Sequence, residues 1–289
     1  MRRSRYLREI ETLDPVADAE RIVYLDACFE FPFDTTRAAE LAFFRTFAVP
    51  SIANLLGSTG EFVERARKRY DDTDLLISTF AENGHSSPVG RAAIRRMNQI
   101  HRRFPISNDD FIYVLSTLVL EPFRWNERFG WRLALDVEHR ATLEFWRVVG
   151  RMIGITGIPE TYAELDRFNA EFENERFGYT DAGHRVAMAM VEMFARKVRI
   201  PVWLGRRAIC ALLDEALLDA LGLHRPSAVD RRLVQGALRM RAWLVRMLPP
   251  RRNPRLRTEI RRATYPVGHR VEELGPPPFA TRVGGKARD

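Results

Sequence analysis

Lysine is nearly missing from this 289-residue chain: of its 46 basic residues only Lys68, Lys197 and Lys286 are not arginine. Codon bias in a GC-rich genome is the simplest explanation of that ratio, so arginine as a residue type identifies nothing. Cysteine is scarce too. Cys28 and Cys210 lie far apart in sequence and near no other soft ligand, which excludes a disulfide framework and a cysteine-based zinc site. Long apolar runs are absent. The most continuous, Phe111 to Leu120, contains Ser116 and Thr117 and falls short of the about 20 apolar residues that span a bilayer. The opening MRRSRYLREIETLDP has the basic residues of a signal peptide but no apolar core behind them. A soluble, cytoplasmic protein is the expectation. Two-residue alternation with Asn-Gly or Asp-Gly turns is also lacking, which disfavours sheets.

What remains is a chain that folds. At 46% hydrophobic and 10% aromatic residues it is globular rather than disordered. Its charge is unevenly placed. Residues 224 to 289 carry 16 basic and 5 acidic side chains, whereas residues 1 to 223 carry 30 and 33, so the whole formal excess of +8 lives near the C-terminus. Such asymmetry marks a surface for phosphate-bearing partners, nucleic acid or lipid headgroups, and says nothing about fold.

Helical punctuation recurs. Ser58-Thr-Gly-Glu61 has capping-box spacing and predicts a helix to about Tyr70; Ser107-Asn-Asp-Asp110 predicts another that Pro122 stops. Thr161-Tyr-Ala-Glu164 opens a third, with Leu165, Phe168 and Phe172 on one stripe. Asp181 is a candidate cap for Ala182 to Lys197, and Arg207 to Leu221 reads as a helix ended by Gly222. Gly90 to Phe104 and Ala134 to Ile153 have helical spacing as well. From Pro249 onward, PPRRNPR and ELGPPPF signal irregular chain wrapping the surface. The expected architecture is one all-α domain over residues 1–280 with an irregular C-terminal wrap, and a flexible tail over 281–289.

Two side chains stand out. On the Gly90 to Phe104 helix, Ile94, Met97, His101 and Phe104 share one face, while Arg95, Arg96, Arg102 and Arg103 cover much of the rest. His101 therefore points inward, either as a neutral, hydrogen-bonded core histidine or as a metal or haem ligand. On the preceding helix Phe62, Ala66, Arg69 and Thr73 share a face that is apolar at its start and then offers a guanidinium and a hydroxyl. A partly buried arginine needs an acceptor. Asp72 nearby serves, with Thr73 as a cap for the next helix; a bound anion serves equally.

These residues carry a resemblance. Arg69-Tyr-Asp-Asp-Thr73, Gly90-Arg91 and Arg95-Arg96-Met97-Asn-Gln-Ile100-His101 are followed by Asn108-Asp-Asp-Phe111-Ile-Tyr113-Val-Leu-Ser116-Thr117, Glu121-Pro122-Phe123-Arg124-Trp125 and Phe129-Gly130. Phe145-Trp146-Arg147 to Gly154-Ile155 and Tyr265-Pro266-Val-Gly268-His269 to Leu274-Gly275-Pro276 extend the pattern. Over roughly residues 50 to 280 the chain resembles the MpaB/rubber-oxygenase family, which includes the latex-clearing proteins, and is closest to the MpaB branch. The resemblance implies a globin-like helical core holding haem b, with O2 and a hydrophobic, isoprenoid-like alkene as reactants and two carbonyl products of double-bond cleavage. It implies His101 as the proximal iron ligand and Arg69 and Thr73 as the distal pair. Arg91, Arg95 and Arg124 become candidates for pairing with the haem propionates. One departure is Asp72, which stands where rubber oxygenases can place a lysine beside the iron, so a lysine-gated switch is not carried over. The N-terminal membrane segment of fungal members is not read in this chain.

Two rivals are weighed against this. A di-iron carboxylate site uses Glu-x-x-His pairs, and an acidic residue precedes histidine by three at Glu82/His85, Asp136/His139 and Asp181/His184. A non-catalytic basic module is suggested by Arg231, Arg232, Arg239, Arg241, Arg246, Arg251, Arg252, Arg255, Arg257, Arg261 and Arg262. Leu238, Met240, Trp243, Leu244 and Met247 interleave with those arginines, as on an amphipathic helix. Peripheral contact with a membrane surface therefore fits better than nucleic acid, which is not an expected partner.

Overall fold

The structure, a computed structural model, describes residues 4–276. Among them are fourteen α-helices and no strand. In chain order these are α1 (Arg5–Ile10), α2 (Ala19–Leu25), α3 (Pro32–Phe47), α4 (Pro50–Ser58), α5 (Glu61–Glu64), α6 (Ala66–Asn83) and α7 (Pro88–His101). Then come α8 (Asn108–Phe129), α9 (Asp136–Ile153), α10 (Tyr162–Arg176), α11 (Asp181–Lys197), α12 (Val202–Cys210), α13 (Glu215–Ala220) and α14 (Ala228–Met247). Helix α3 packs along α8, α6 along α7, α2 along α9, and α11 against both α4 and α12. One apolar cluster joins Phe44, Phe47, Phe62, Met190 and Phe194; a second joins Ile22, Leu75, Phe80, Ile94 and Phe145. Helix α6 belongs to both, through Tyr70 on one side and Leu75 and Phe80 on the other. The fold is all-α with a globin-like helical core.

Several expected boundaries move, each for a local reason. The helix expected from Ser58 to Tyr70 is three pieces. Ser58 closes α4, with its hydroxyl donating to the Leu55 carbonyl (2.8 Å) instead of capping forward. Gly60 (φ +69°) turns the chain into α5, and Arg65 (φ −134°) breaks it before α6, which continues to Asn83. Pro122 does not stop α8. The helix runs to Phe129 because Phe123, Trp125 and Phe129 are buried, and the Trp125 indole donates to Asp34 (2.9 Å) on α3. That packing outweighs a proline inside a helix, which costs ~3 kcal/mol. Thr180, not Asp181, caps α11, accepting from the Gly183 amide at 2.9 Å. The helix expected over Arg207 to Leu221 is split into α12 and α13 by Asp214, which caps α13 and pairs with Arg45 (2.7 Å); Gly222 (φ +60°) ends it as expected. The Ser107 and Thr161 caps stand where their spacing puts them.

No single helix among the described residues is long and apolar enough to cross a membrane. Helices α3 and α4 pass such a test jointly by length and composition, but they bend by 95° at their junction, and α3 is core.

After α14 the chain is an irregular strap that returns across α6. Arg257 bonds to Asp74 (2.6 and 2.8 Å), and Arg262 bonds to Asp71 (2.9 Å) and to Asp74. Thr264 donates to Asp71, Tyr265 to Asp72 (2.5 Å), and the Arg257 backbone amide to Glu82 (2.6 Å). Leu274 and Gly275 end the strap on α6 and α7, their carbonyls accepting from Arg96 (2.8 Å) and Lys68 (3.1 Å). Two of the arginines that suggested a nucleic-acid surface, Arg257 and Arg262, are thus internal ion-pair partners, and a third, Arg241, pairs with the buried Asp34 (2.7 Å). The tail expected over 281–289 lies outside the described residues.

Candidate functional site

A cavity of about 610 Å³ lies between α6, α7 and α8 and is bounded also by α3, α4 and α9. Its wall is mainly apolar, with Phe47, Phe62, Ile77, Leu115 and Trp146 among its residues. Arg69, Thr73 and His101, far apart in sequence, all line it. Helical spacing explains the first two: Arg69, Thr73 and Ile77 recur every four residues and share the inner face of α6. His101 closes α7, and the turn after it brings Phe104 and Pro105 to the same wall.

The two open readings of Arg69 are decided by its neighbours. Asp72 is turned to the outer side of α6, where it accepts from Lys68 (2.7 Å) and Tyr265, so it does not receive the guanidinium. Thr73 sits within α6 and caps nothing. Its hydroxyl donates to the Arg69 carbonyl (3.1 Å) and accepts from the Arg69 side chain. The guanidinium also lies over the Phe62 ring, 5.0 Å from its centroid. Among the described residues no carboxylate forms an ion pair with it. Burial lowers the Arg69 pKa, with Asp72 and Glu61 opposing that only through longer-range attraction. Arginine remains charged regardless.

His101 sits in the last turn of α7, where the helix dipole favours a cationic ring by about 0.3–1 kcal/mol. Burial wins: its pKa is pushed down to about 4, first by desolvation and then by the charge of Arg69. The ring is neutral at physiological pH. Phe111 holds it from α8, centroids 5.3 Å apart, and its Nδ1 is buried without a hydrogen-bond partner. The expectation of a satisfied core histidine is therefore not met, since buried polar atoms ordinarily find a partner.

The other basic candidates are not brought here. Arg91 and Arg95 are exposed on α7 and do not line the cavity. Arg124 is engaged elsewhere, pairing with Glu121 (2.9 Å) and Asp166 (2.8 Å). The arginine that joins Arg69 on the wall is Arg65, held by Glu61 one turn before it. Arg65 lies four residues before Arg69, so helical spacing alone places it on the same face, and in a chain rich in arginine nothing else in the sequence marks it. Pro276, at the end of the strap, is also wall, and the carboxylate Asp110 accepts from Ser51 (2.9 Å) where α8 meets α4.

The histidines of the di-iron alternative are dispersed. His85 pairs with Glu20 (2.9 Å), His139 stacks on Tyr162, and His184 Nδ1 contacts the Leu221 carbonyl at 2.8 Å. Among the described residues no three histidine, cysteine, aspartate or glutamate side chains are grouped to hold a metal ion. The two cysteines are buried and unpaired.

Residues 39–247 match the family described as ER-bound oxygenase mpaB/B'/rubber oxygenase, catalytic domain. The chain is 27% identical over 276 residues to ER-bound oxygenase mpaB' of Penicillium brevicompactum, covering 87% of this chain and 64% of that protein. It is 32% identical over 164 residues to ER-bound oxygenase mpaB of the same organism, covering 54% and 42% respectively. For ER-bound oxygenase mpaB of Penicillium roqueforti (strain FM164) the identity is 31% over 240 residues, covering 75% of this chain and 80% of that one. The chain thus spans less than two thirds of the first two relatives. Among solved structures, latex clearing protein LCP in the closed state superimposes with a TM-score of 0.55 at 16% identity, over 83% of this chain and 70% of that one, which is a likeness of fold. With the family match spanning most of its length, this chain belongs to the MpaB/rubber oxygenase catalytic-domain family.

Proposed function

We propose that this member of an oxygenase family is a haem b-dependent oxygenase that cleaves a carbon–carbon double bond in a hydrophobic, isoprenoid-like substrate. One observation carries the reading. A neutral imidazole with an unpartnered nitrogen and a guanidinium with no carboxylate border the same apolar cavity. The residues present fit the group. The volume lies within the ~300–1,000 Å³ typical of small-molecule and cofactor sites. A neutral histidine is what iron takes as a ligand, and His101 would hold it. Arg65 reaches the cavity wall, as Arg91, Arg95 and Arg124 do not, but Glu61 already holds its guanidinium, which leaves Arg69 as the cavity arginine without a carboxylate. When bound, haem iron supplies the one-electron and O2 chemistry that the side chains lack.

The chain's own residues then do the following. Phe62, Ile77, Leu115 and Trp146 present an apolar surface to an alkene and exclude water from it. Arg69 holds N–H donors toward the cavity, fixed by the Phe62 ring and by its hydrogen bond to the Thr73 hydroxyl, whose own proton goes to the Arg69 carbonyl. Preorganised donors of that kind stabilise negative charge developing on a reacting oxygen, each worth ~2.7–4 kcal/mol of barrier. The depressed pKa of His101 keeps its ring available as a ligand from neutrality down to about pH 4. The test is the visible spectrum of protein expressed with adequate haem supply, with extracted haem quantified. A Soret band is expected, lost or shifted in His101→Ala. No band in the wild-type protein overturns the haem reading, and an unchanged band in the variant moves the ligand elsewhere.

A further inference from the structure

Helix α14 is built on two stripes, and among the described residues only one of them is packed against the body. Leu238 and Ala242 face the body, and Arg241 reaches Asp34. On the opposite side Val229, Leu233, Met240, Trp243, Leu244 and Met247 recur at helical spacing, and each is between 51% and 69% exposed. The stripe runs about 27 Å along the helix axis, at 1.5 Å per residue from Val229 to Met247. An unbroken apolar face of that length is uncommon on a monomeric protein and marks a contact. Arg232 and Arg239 follow one another at seven-residue spacing along one edge of the stripe, both exposed. Beyond the helix Leu248 continues the apolar exposure, and Arg251, Arg252 and Arg255 continue the charge.

We infer that the outer face of α14 is a docking surface for an anionic lipid bilayer, the helix lying in the plane of the headgroups with its apolar stripe inward. Charge decides the occupant. The last 66 residues carry 16 basic and 5 acidic side chains, and the one acidic residue on α14, Asp230, is occupied by its own N-cap and by Arg207 (2.8 Å). A second copy of this face therefore offers the arginine row no carboxylate, whereas phosphate headgroups do. Nucleic acid satisfies the arginines but leaves six large apolar side chains in water. A bilayer takes both: the stripe enters the acyl boundary, Trp243 settles at the interface, and the arginine stems extend toward phosphate. The inference does not depend on the cofactor.

The experiment is co-sedimentation of the intact protein with vesicles of phosphatidylcholine alone or mixed with phosphatidylglycerol, in low and high salt. Binding to the mixed vesicles, weakened by salt, is expected. Arg232→Gln with Arg239→Gln is expected to weaken it about thirtyfold, following the contribution of a basic residue near an anionic surface. Met240→Ser with Met247→Ser is expected to weaken it about tenfold or more. These side chains are exposed, so circular dichroism and melting temperature are expected to match wild type and exclude misfolding as the cause. Equal binding to neutral vesicles, or binding indifferent to both pairs, overturns the inference. So does a dimer in sedimentation velocity that Met240→Ser/Met247→Ser dissociates without any vesicle binding, which assigns the face to a second copy. Binding of duplex DNA but not vesicles, lost in Arg232→Gln/Arg239→Gln, likewise overturns it.

Discussion

On the outer face of α6, Asp71, Asp72 and Asp74 lie beneath the strap and each is met by a cation, with Thr264 and Tyr265 adding hydroxyl donors. On the inner face of the same helix Arg69 is half-buried at the cavity, and among the described residues it is met by the hydroxyl of Thr73 and the ring of Phe62 with no carboxylate paired to it. One helix therefore holds carboxylates that are each paired on one face and a guanidinium without a carboxylate on the other. A buried charge without a counter-charge is costly, so nothing about stability explains Arg69. The outer face accounts for itself by anchoring the strap. The inner face makes sense when an acceptor arrives in the cavity.

The largest way to strain that comparison is to break the outer network. Arg262 is 6% exposed and joins Asp71, Asp74 and the Arg257 carbonyl. Arg262→Ala leaves the fully buried Asp71 with only Arg67 and Thr264, and Asp74 with only Arg257, and is expected to cost ~1.5–3 kcal/mol of unfolding free energy, the worth of hydrogen bonds to charged groups. A shift of the denaturant midpoint at constant slope would measure it. A loss below ~1 kcal/mol would mean the network behaves like surface ion pairs, and the contrast between the faces would dissolve.

The same logic applied to the inner face predicts the opposite sign. Arg69→Met removes a buried charge that lacks an ion-pair partner and keeps an apolar stem beside Phe62. Stability is expected to hold or to rise by up to ~1–3 kcal/mol, the cost of a buried unsatisfied group. Turnover of an alkene substrate is expected to fall ~10²–10³-fold, the loss associated with removing one preorganised donor. Destabilisation comparable to Arg262→Ala would make Arg69 a structural residue.

How these two faces were legible in sequence follows from their physics. The inner one was, because Phe62, Arg69 and Thr73 obey helical spacing and because His101 sits among Ile94, Met97 and Phe104 on an otherwise arginine-rich helix. Spacing survived even the break at Arg65, since the stripe resumes on α6 with its inner face unchanged. The outer one was not: Asp71, Asp72 and Asp74 read as ordinary solvated charges, and their partners lie nearly 200 residues away on a segment without periodicity. Helix α3 escaped for a related reason. It is buried on several sides and encloses Asp34, Thr36 and Glu40 beside Phe44 and Phe47, so it has no clean polar face for a period to mark. The propionate candidates show the limit of reasoning by residue type. Arg124 matched a motif, but Glu121 and Asp166 had already taken its guanidinium, and no spacing rule reveals a partner 42 residues away.

The finest test of the comparison separates charge from packing at a single hydroxyl. Thr264 donates to Asp71, and Thr264→Val preserves shape while deleting that donor. Arg67 and Arg262 remain on the carboxylate, so the expected cost near neutrality is only ~0.5–1.5 kcal/mol. Its pH dependence is the sharper readout. Burial alone raises the Asp71 pKa, but hydrogen bonds from Thr264, Arg67 and Arg262 outweigh it and hold the carboxyl below its ordinary 3.8. A carboxylate so depressed adds stability that is complete above the unfolded-state pKa and is lost as pH falls through the folded one. Deleting Thr264 moves the folded value back toward 3.8, so wild type and variant should differ at neutral pH and converge as Asp71 protonates below it. Unfolding midpoints measured for both proteins across that range would show the gap close. A gap that stays constant into acid would mean Thr264 acts through its methyl group and not through the carboxylate. The outer face of α6 would then be held at that point by packing, as the inner face is at Phe62.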